Sequence, residues 1–241
     1  MSLLQVEELD AGYGLLHAVR GMSFTVDEGR RLALVGANGA GKSTLLRCIA
    51  GAHSPSSGTI RFDGADITQV AAHRRVRLGI SLVPEGRRLF PDLTVVENLL
   101  VAGARSRSGE WTVERALDAF PVLRQVRDQR ASTLSGGQQQ MAAIARGLMT
   151  NPRLLLLDEV SLGLSPVAVQ GVYDSLARLG ETRTAIVLVE QDLTRAMGFA
   201  DQVACVLEGR IVLTGSSDSL TRDQVTAAYF GLDGRSTRHD A

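Results

Sequence analysis

Residues 36–43 follow the pattern G-x-x-x-x-G-K-S, and this motif constrains the fold more than any other feature of the sequence. An apolar segment, 32–35, precedes the motif, and a helix-forming segment, 43–50, follows it. Glycines let backbone N–H groups crowd around phosphate oxygens, and the start of a helix adds positive potential. A strand, a glycine loop and a helix in this order predict a phosphate-binding loop in an α/β fold. The residues expected to bind the phosphates are Gly36, Ala37, Asn38, Gly39, Ala40, Gly41, Lys42, Ser43 and Thr44.

Lys42 is the single lysine of the chain, since arginine supplies the other 25 of its 26 basic residues. Codon bias in a GC-rich genome explains such a scarcity, but a functional reason also exists at this position. A compact ammonium suits the β- and γ-phosphates of a nucleotide, whereas the forked guanidinium of arginine is larger. We therefore expect Lys42 to take part in catalysis, with the Ser43 hydroxyl as a ligand of Mg²⁺. The alternative is a glycine-rich turn that binds no ligand.

Four leucines, 154–157, run directly into two acids, Asp158 and Glu159. The carboxyl end of a buried strand in a parallel sheet lies at the edge where ligands bind. Asp158 is therefore the predicted support of Mg²⁺, and Glu159 is predicted to orient or deprotonate the attacking water. A strand followed by two surface acids is common. This pattern therefore indicates a nucleotide site only in combination with the phosphate loop.

The sequence LSGGQ at residues 134–138 opens a long predicted helix. Ser135 suits the N-cap of that helix, and Gly136 and Gly137 keep its entry free of side chains. We expect the helix start, from Ser135 to Gln138, to receive an anion. The alternative is a capped helix with a flexible start.

The charge and apolar content of the chain exclude several classes of protein. Lys and Arg together number 26, as do Asp and Glu, so the formal net charge is zero and we expect no nucleic-acid partner. The hydrophobic content of 44% disfavours intrinsic disorder. The N-terminus has no signal-peptide pattern, and no apolar run approaches the roughly 20 residues that span a bilayer. Any membrane role is therefore expected to come through a partner.

Strand and helix signals alternate over most of the sequence, which predicts a parallel sheet covered on both faces. Short early strands separated by turns predict an antiparallel layer, and the segment from 94 to 150 reads as helices alone. The predicted strands are 3–9, 22–26, 31–35, 59–62, 80–83, 154–157, 185–189, 203–207 and 210–213. The predicted helices are 43–50, 94–104, 112–120, 135–149, 166–179 and 192–199.

Together the three motifs resemble the nucleotide-binding subunit of ATP-binding cassette (ABC) transporters, whose signature residues 134–138 match letter for letter. The resemblance covers about residues 4–231 and implies the ABC ATPase fold. This α/β fold has a P-loop NTPase core with a mostly parallel sheet, an N-terminal antiparallel β layer and an inserted α-helical lobe. We expect one domain over 1–231, with core and β layer at 1–90 and 151–231, the lobe at about 91–150 and a loose tail at 232–241.

In that family two cassettes pack head to tail, and each ATP lies between the phosphate loop of one and the signature of the other. The resemblance therefore implies ATP and Mg²⁺ as ligands. Tyr13 matches the aromatic residue that stacks on adenine, although a packed tyrosine before a turn is the alternative. Glu85 lies where most members carry a glutamine that senses Mg²⁺, and Gln191 where most carry a histidine that contacts the γ-phosphate. Ser165 replaces a frequent aspartate in the loop that crosses the dimer interface.

Further segments resemble the second ATP-binding subunit of branched-chain amino acid importers, in which the residue types at 85 and 191 are normal. This likeness implies a second ATPase subunit of different sequence, two membrane permease subunits and, indirectly, an extracytoplasmic solute-binding protein. It places the chain at the cytoplasmic face of the membrane, held there by the permeases. The segments are 83–91, 93–95, 97–99, 188–191 and 228–231.

The arginine-rich segment 84–94 is the predicted docking region for a permease helix. Importers of urea or short amides use similar subunits, so the sequence of this chain does not decide which class of solute is transported. A soluble ABC ATPase without a transport role is a further alternative, as is a module that holds nucleotide without turnover. A phosphate-loop kinase is disfavoured because it would not need the signature at 134–138.

Overall fold

A computed structural model describes residues 2–104, 107–179 and 182–232 of the chain. The strands are β1 (Ser2–Tyr13), β2 (Leu16–Asp27), β3 (Arg31–Val35), β4 (Ser57–Phe62), β5 (Ala65–Asp66), β6 (Ile80–Val83), β7 (Leu154–Asp158), β8 (Ala185–Glu190), β9 (Gln202–Leu207) and β10 (Arg210–Ser216). The helices are α1 (Lys42–Ala50), α2 (Ala72–Leu78), α3 (Val95–Gly103), α4 (Val113–Ala119), α5 (Pro121–Gln125), α6 (Gly136–Leu148), α7 (Pro166–Arg178), α8 (Leu193–Phe199) and α9 (Arg222–Phe230).

The described residues form two compact units. Residues 2–69 and 187–232 make the first unit, and residues 70–104, 107–179 and 182–186 make the second. The predicted helical segment at about 91–150 falls inside the second unit, and its bounds as a lobe stay a prediction. The predicted loose tail lies outside the described residues except for Leu232.

The first unit contains a four-stranded antiparallel sheet in the order β2-β1-β4-β5, as the early strand signals predict. Strands β1 and β2 are 12 residues each, longer than the predicted segments 3–9 and 22–26. Register shifts interrupt their pairing, for example between Val6 and Leu9. Each shift breaks the two-residue alternation from which strand lengths are predicted, so the sequence understates these strands.

The first unit also contains β3, α1, α8, β9, β10 and α9. Strand β3 pairs with β9 in parallel, and β10 pairs with β9 in antiparallel fashion. Small apolar side chains from β3, β9, α9 and the region of α8 form one buried cluster, which includes Val35 at the end of β3 and packs this strand end closely. The cluster consists of Ala33, Val35, Ala196, Ala200, Val203, Cys205, Val225 and Ala228.

The second unit is mainly helical, with β6 and β7 paired in parallel. Helices α3, α4 and α6 begin after Thr94, Thr112 and Ser135, whose hydroxyls each accept a backbone N–H of the first turn. These caps explain why the starts of the three helices were predictable from the sequence. Helix α2 was not predicted, because it carries neither a side-chain cap nor an apolar stripe.

Among the described residues, no helix has both the length and the apolar character needed to cross a lipid bilayer.

Candidate functional site

The glycines of the phosphate loop are required by close backbone packing within the first unit. A Cβ on Gly36 would lie 2.2 Å from the carbonyl oxygen of Val206, and one on Gly41 would lie 2.0 Å from that of Ala18. Gly41 also has φ 101°, a conformation that favours glycine. The loop between β3 and α1 is therefore pressed against β2 and β9, which fixes its path. Gly39 differs, because a Cβ there would meet no heavy atom within 4 Å.

Lys42 is the first residue of α1, and its side chain is only 3% exposed. Its Nζ donates hydrogen bonds to the carbonyl oxygens of Gly36, at 2.7 Å, and Ala37, at 2.9 Å. A buried ammonium is costly unless such dipoles compensate it. The loop thus holds a positive charge at its own centre.

Helix α1 starts without a side-chain cap, because its N-cap residue is Gly41. Among the described residues, the other helices of nine or more residues, namely α3, α6, α7 and α9, each begin with a Thr or Ser hydroxyl that accepts a backbone N–H. The first N–H groups of a helix have no partner within the helix. At α1 they adjoin the exposed loop residues Ala37, Asn38 and Gly39, an arrangement that fits a phosphate group.

Tyr13 ends β1 and is 45% exposed, so it is not a packed core residue. Its ring lies 4.4 Å, centroid to centroid, from the ring of His53, and Arg47 Nη1 donates to its hydroxyl oxygen at 3.4 Å. Both partners belong to the end of α1 or the turn that follows it. Neither His53 nor Arg47 was predicted from the sequence, since no motif marks them.

Gln191 lies half-buried directly after β8, and Glu190 precedes it with 3% exposure. Glu190 Oε1 accepts the backbone N–H of Gln191 at 2.9 Å and that of Asp192 at 3.3 Å. The buried carboxylate therefore fixes the turn that carries Gln191. No role for Glu190 was predicted from the sequence, although Glu190, like Asp158, is an acid at the end of an apolar strand.

Asp158 and Glu159 lie at the end of β7 in the second unit. Asp158 is 2% exposed, while Glu159 is half-buried and has φ 49°. A non-glycine residue in this left-handed region carries a local energetic cost, and such residues are frequent at functional sites. Val160 follows and is fully buried, so the apolar side chain after the acids anchors this turn.

Glu85 and Glu159 line one cavity of about 310 Å³ within the second unit. Arg87 and Gln139 lie in the same wall, and Arg87 Nη1 donates to Gln139 Oε1 at 2.9 Å. The cavity therefore combines two carboxylates with Gln139 and Gln140 from the first two turns of α6. Its lining residues are Glu85, Gly86, Arg87, Arg88, Leu89, Pro91, Ala131, Ser132, Gln139, Gln140, Glu159 and Leu162.

Three successive residues after Glu85 adopt left-handed backbone conformations. The φ angles are 79° at Gly86, 64° at Arg87 and 50° at Arg88. The guanidinium of Arg146, on α6, donates to the carbonyl oxygen of Arg88 at 2.7 Å and to that of Arg87 at 3.4 Å. Burial lowers the pKa of Arg146 from its ordinary value. One half-buried arginine thus stabilises a loop conformation that the loop's own residues disfavour.

The glycines of the LSGGQ segment also serve packing inside the unit. A Cβ on Gly137 would lie 2.8 Å from the Cβ of Ala168 on α7, and one on Gly136 would lie 3.2 Å from Arg87 Nη2. Ser135 and Gln138 bond each other's backbone in a capping box, so Gln138 N–H is already occupied by the Ser135 hydroxyl. The predicted N-cap role of Ser135 is therefore confirmed, and it gives one N–H group of the helix start a side-chain partner.

Ser165 has a structural role that the sequence analysis did not assign. Its hydroxyl accepts the backbone N–H of Ala168 at 3.4 Å and caps α7. Serine and aspartate both make good N-caps, so this position keeps the cap although it lacks the frequent carboxylate.

The predicted site residues fall into two groups according to the compact units. Within the second unit, the structure brings Glu85 and Glu159 into one cavity. The first unit contains Tyr13, Gly36, Ala37, Asn38, Gly39, Ala40, Gly41, Lys42, Ser43, Thr44 and Gln191. The second contains Glu85, Ser135, Gly136, Gly137, Gln138, Asp158 and Glu159.

Comparison with known proteins gives consistent matches. The family profile described as ABC transporter matches residues 19–161. The high-affinity branched-chain amino acid transport ATP-binding protein BraG of Pseudomonas aeruginosa is 40% identical over 95% of this chain and 100% of its own length. The probable branched-chain amino acid transport ATP-binding protein LivF of Archaeoglobus fulgidus is 36% identical over 90% of this chain and 94% of its own length.

A solved structure described as the ATP-binding subunit of an ABC transporter superposes with a TM-score of 0.81 at 26% identity. The superposition covers 95% of this chain and 100% of the solved one. The predicted fold class is therefore confirmed, including the antiparallel layer and the sheet of mostly parallel strands.

Proposed function

Because the chain belongs to the ABC transporter family, in which it is an ATP-binding subunit and an ATPase, we propose that it powers a membrane importer of branched-chain amino acids. The similarity to BraG over the full length of that protein supports this solute class. LivF, a second relative named for the same solutes, supports it further.

The phosphate loop is the observation on which the proposal rests. Its buried ammonium, held 2.7 Å from the Gly36 carbonyl oxygen, lies at the uncapped start of α1. Positive charge at a helix start that no side chain caps suits the β- and γ-phosphates of ATP. We infer that Lys42 stays close to its present position when ATP binds, exchanging loop carbonyls for phosphate oxygens.

The acidic residues supply the remaining parts of the reaction. Ser43, Glu85 and Asp158 are the proposed ligands of Mg²⁺, since a hydroxyl and carboxylates are the oxygen donors that this ion prefers. When bound, Mg²⁺ neutralises charge on the phosphates. Glu159 orients the attacking water and accepts its proton. Gln191 donates a hydrogen bond to the γ-phosphate, and the Glu190 carboxylate fixes its backbone for that task.

A second cassette completes the nucleotide site in this proposal. Residues 135–138 contact ATP bound to the partner subunit, and the partner's equivalent segment contacts ATP bound here. The capping box at Ser135 keeps this helix start in one conformation. The subfamily likeness favours a partner of different sequence. Closure of the two subunits upon ATP, followed by hydrolysis and product release, then moves the permeases.

The docking region for the permeases is proposed at residues 84–94 and the neighbouring face of α3. Phe90 is about half exposed, at 49%, as are Leu100 and Val101 on α3. Exposed apolar side chains beside the exposed Arg88 suit an amphipathic helix from a membrane subunit. The chain then lies at the cytoplasmic face of the membrane, and a solute-binding protein acts on the other side. Urea, short amides and a role outside transport are the alternatives.

Uptake measurements distinguish these functions. We expect the chain, co-expressed with its permeases and partner cassette, to support ATP-dependent uptake of leucine, isoleucine and valine into vesicles. Glu159→Gln should abolish uptake and ATP turnover, while Glu114→Gln, at an exposed position of α4, should preserve both. Uptake of urea or acetamide in place of leucine would support the alternative importer. Equal ATP turnover in both variants would contradict the assignment of Glu159.

A further inference from the structure

We propose that His53 is a positioning residue that supports one face of the Tyr13 ring and thereby leaves the opposite face open to a purine base. The inference rests on the proposed function, since it takes Tyr13 as the platform for adenine. No motif in the sequence marks His53, and its role is to hold the Tyr13 ring in place by stacking behind it.

The two rings are in stacking distance. Their centroids are 4.4 Å apart, and their planes are inclined by 30°. A ring pair at this separation attracts through its π-systems and through excluded water. The tyrosine remains 45% exposed, so His53 covers only part of the ring. A planar base can therefore add a third layer to the stack on the uncovered side.

His53 is itself fixed at both backbone and side chain. Its ring Nε2 lies 2.9 Å from the carbonyl oxygen of Gly12, and its backbone N–H donates to the carbonyl oxygen of Arg47 at 3.2 Å. A carbonyl oxygen only accepts hydrogen bonds, so Nε2 carries the proton in this contact. The imidazole thus connects the end of β1 to the end of α1.

Tyr13 needs this support because its own backbone gives it little. It lies at the tip of the β1–β2 hairpin, beside Gly14, which has φ 58°. Gly12 on its other side permits close strand approach, since a Cβ there would lie 2.1 Å from the carbonyl oxygen of Leu16. Two glycines leave the tyrosine without neighbouring side chains along the strand. His53 and Arg47 supply the contacts that orient it.

Helix α1 joins this base platform to the phosphate loop. The helix begins with Lys42 and ends before Gly51, and Arg47 and His53 belong to its last turn and to the turn that follows. Nine helical residues rise about 13 Å. One rigid element therefore sets the spacing between the groups that bind the phosphates and the groups that hold the tyrosine. His53 is consequently expected to affect binding of the base and to leave binding of the phosphates unchanged.

Calorimetry of the full-length chain with Mg²⁺ tests the inference, using ATP and inorganic tripolyphosphate as probes. His53→Ala should weaken ATP binding about three- to tenfold, the factor expected when one aromatic stack is lost. Tripolyphosphate binding should not change, because this probe has no base. His73→Ala, at an exposed position of α2 in the other unit, is the matched control and should bind both probes normally.

Two further variants separate the ring from its hydrogen bond. His53→Phe keeps a ring behind Tyr13 and loses the donor to Gly12, so it should restore most of the ATP affinity. His53→Gln keeps an N–H donor and loses the ring, so it should resemble His53→Ala. Circular dichroism checks that each variant is folded.

The outcomes distinguish this inference from the proposed function. Normal ATP affinity in His53→Ala overturns the role of His53 alone, and so does an equal loss for ATP and tripolyphosphate. A wild-type chain that binds ATP no more tightly than tripolyphosphate overturns Tyr13 as a base platform. A wild-type chain that binds neither probe overturns the proposed function and this inference with it.

Discussion

The Lys42 ammonium is buried among loop carbonyl oxygens, an environment that suits a small cation. It is 3% exposed and lies within 2.9 Å of two loop carbonyl oxygens. We predict that Lys42→Ala weakens ATP binding by a factor of a hundred or more, because charge-assisted hydrogen bonds to phosphate are the strong ones. Lys42→Arg should also weaken binding, since the larger guanidinium does not fit the same space.

Calorimetric titration with ATP measures the effect, and thermal unfolding shows that each variant is folded. An arginine variant with wild-type affinity would show that the loop needs only a positive charge, and the retention of this single lysine would then have a genomic cause.

Cys205, on β9, shows how burial tunes a side chain near the phosphate loop. Burial raises the pKa of its thiol from 9.0 to about 11, while the nearby Lys42 charge lowers it slightly. The folded pKa is above the unfolded one, so its contribution to stability is complete below pH 9 and disappears as the pH rises towards 11. We predict that the free energy of unfolding falls over this interval.

Denaturant titrations at several pH values measure this dependence. Cys205→Ala provides the comparison, because other groups also titrate in alkaline solution. The difference in unfolding free energy between wild type and variant should narrow between pH 9 and pH 11. A constant difference would contradict the assigned pKa.

At the scale of elements, helices α6 and α7 pack closely at Gly137, which has no side chain. A Cβ on Gly137 would lie 2.8 Å from the Cβ of Ala168, so Gly137→Ala should lower the unfolding free energy by about 1–3 kcal/mol. Ala168→Gly removes the obstructing methyl group, and the double variant should recover most of that loss. Chemical denaturation measures both effects. Additive destabilisation in the double variant would mean that Gly137 is required for another reason.

The loop after Glu85 depends on one arginine of α6. In Arg146→Gln the carbonyl groups of Arg87 and Arg88 lose their guanidinium partner, and we predict at least tenfold faster hydrogen exchange of amides 86–90. Arg88→Gly should slow this exchange again, because glycine adopts φ 50° without a steric cost.

Arg88→Ala is the matched control for that rescue. It removes the same exposed side chain and keeps the steric cost, so it should not slow exchange in the Arg146→Gln background. Equal rescue by both substitutions would show that the Arg88 side chain, and not its backbone conformation, determines the mobility of the loop.

Sequence patterns predict elements whose signals are local. Thr94 and Ser135 cap helices with hydroxyls, and a glutamate or glutamine three residues later completes each capping box, so α3 and α6 were recognised. Helix α2 lacks these signals and was missed. Helix α9 was missed as well, although Thr221 and Gln224 form a capping box at its start. The left-handed conformation of Arg87 and Arg88 could not be predicted either, because it depends on Arg146, 58 residues away in sequence.

At the scale of the whole molecule, the docking region allows a test of assembly. Arg88 is exposed, whereas Arg87 is engaged with Gln139, so Arg88→Glu changes the surface with less disturbance of the interior. We predict that this reversal of charge reduces recovery of the chain with its permeases at least tenfold and leaves ATP affinity unchanged. Co-purification and calorimetry on the same preparation measure both. Normal recovery of the Arg88→Glu chain with its permeases would show that the docking region lies elsewhere.

Arg178→Glu, near the end of α7, is the control for a general effect of charge. It should co-purify as the wild type does. A similar loss in both variants would indicate that added negative charge, and not its place, impairs assembly.

Residues 36–43 and the acids at 158 and 159 predict phosphate and Mg²⁺ binding from the sequence, because few residue types serve that chemistry. The contacts that orient the groups, such as His53 behind Tyr13 and Glu190 beneath Gln191, involve common residue types at no fixed spacing. Such contacts follow from tertiary packing and become visible only in three dimensions.

Because the single lysine of the chain is buried, cleavage by a lysine-specific protease measures local unfolding of the protein at this residue. A protease that cleaves after lysine has one possible target, the peptide bond that joins Lys42 to Ser43. That bond lies at the first residues of α1, which the enzyme can reach only when the helix detaches from its surroundings. Appearance of the two fragments 1–42 and 43–241 on a gel therefore counts unfolding events at a single, known place.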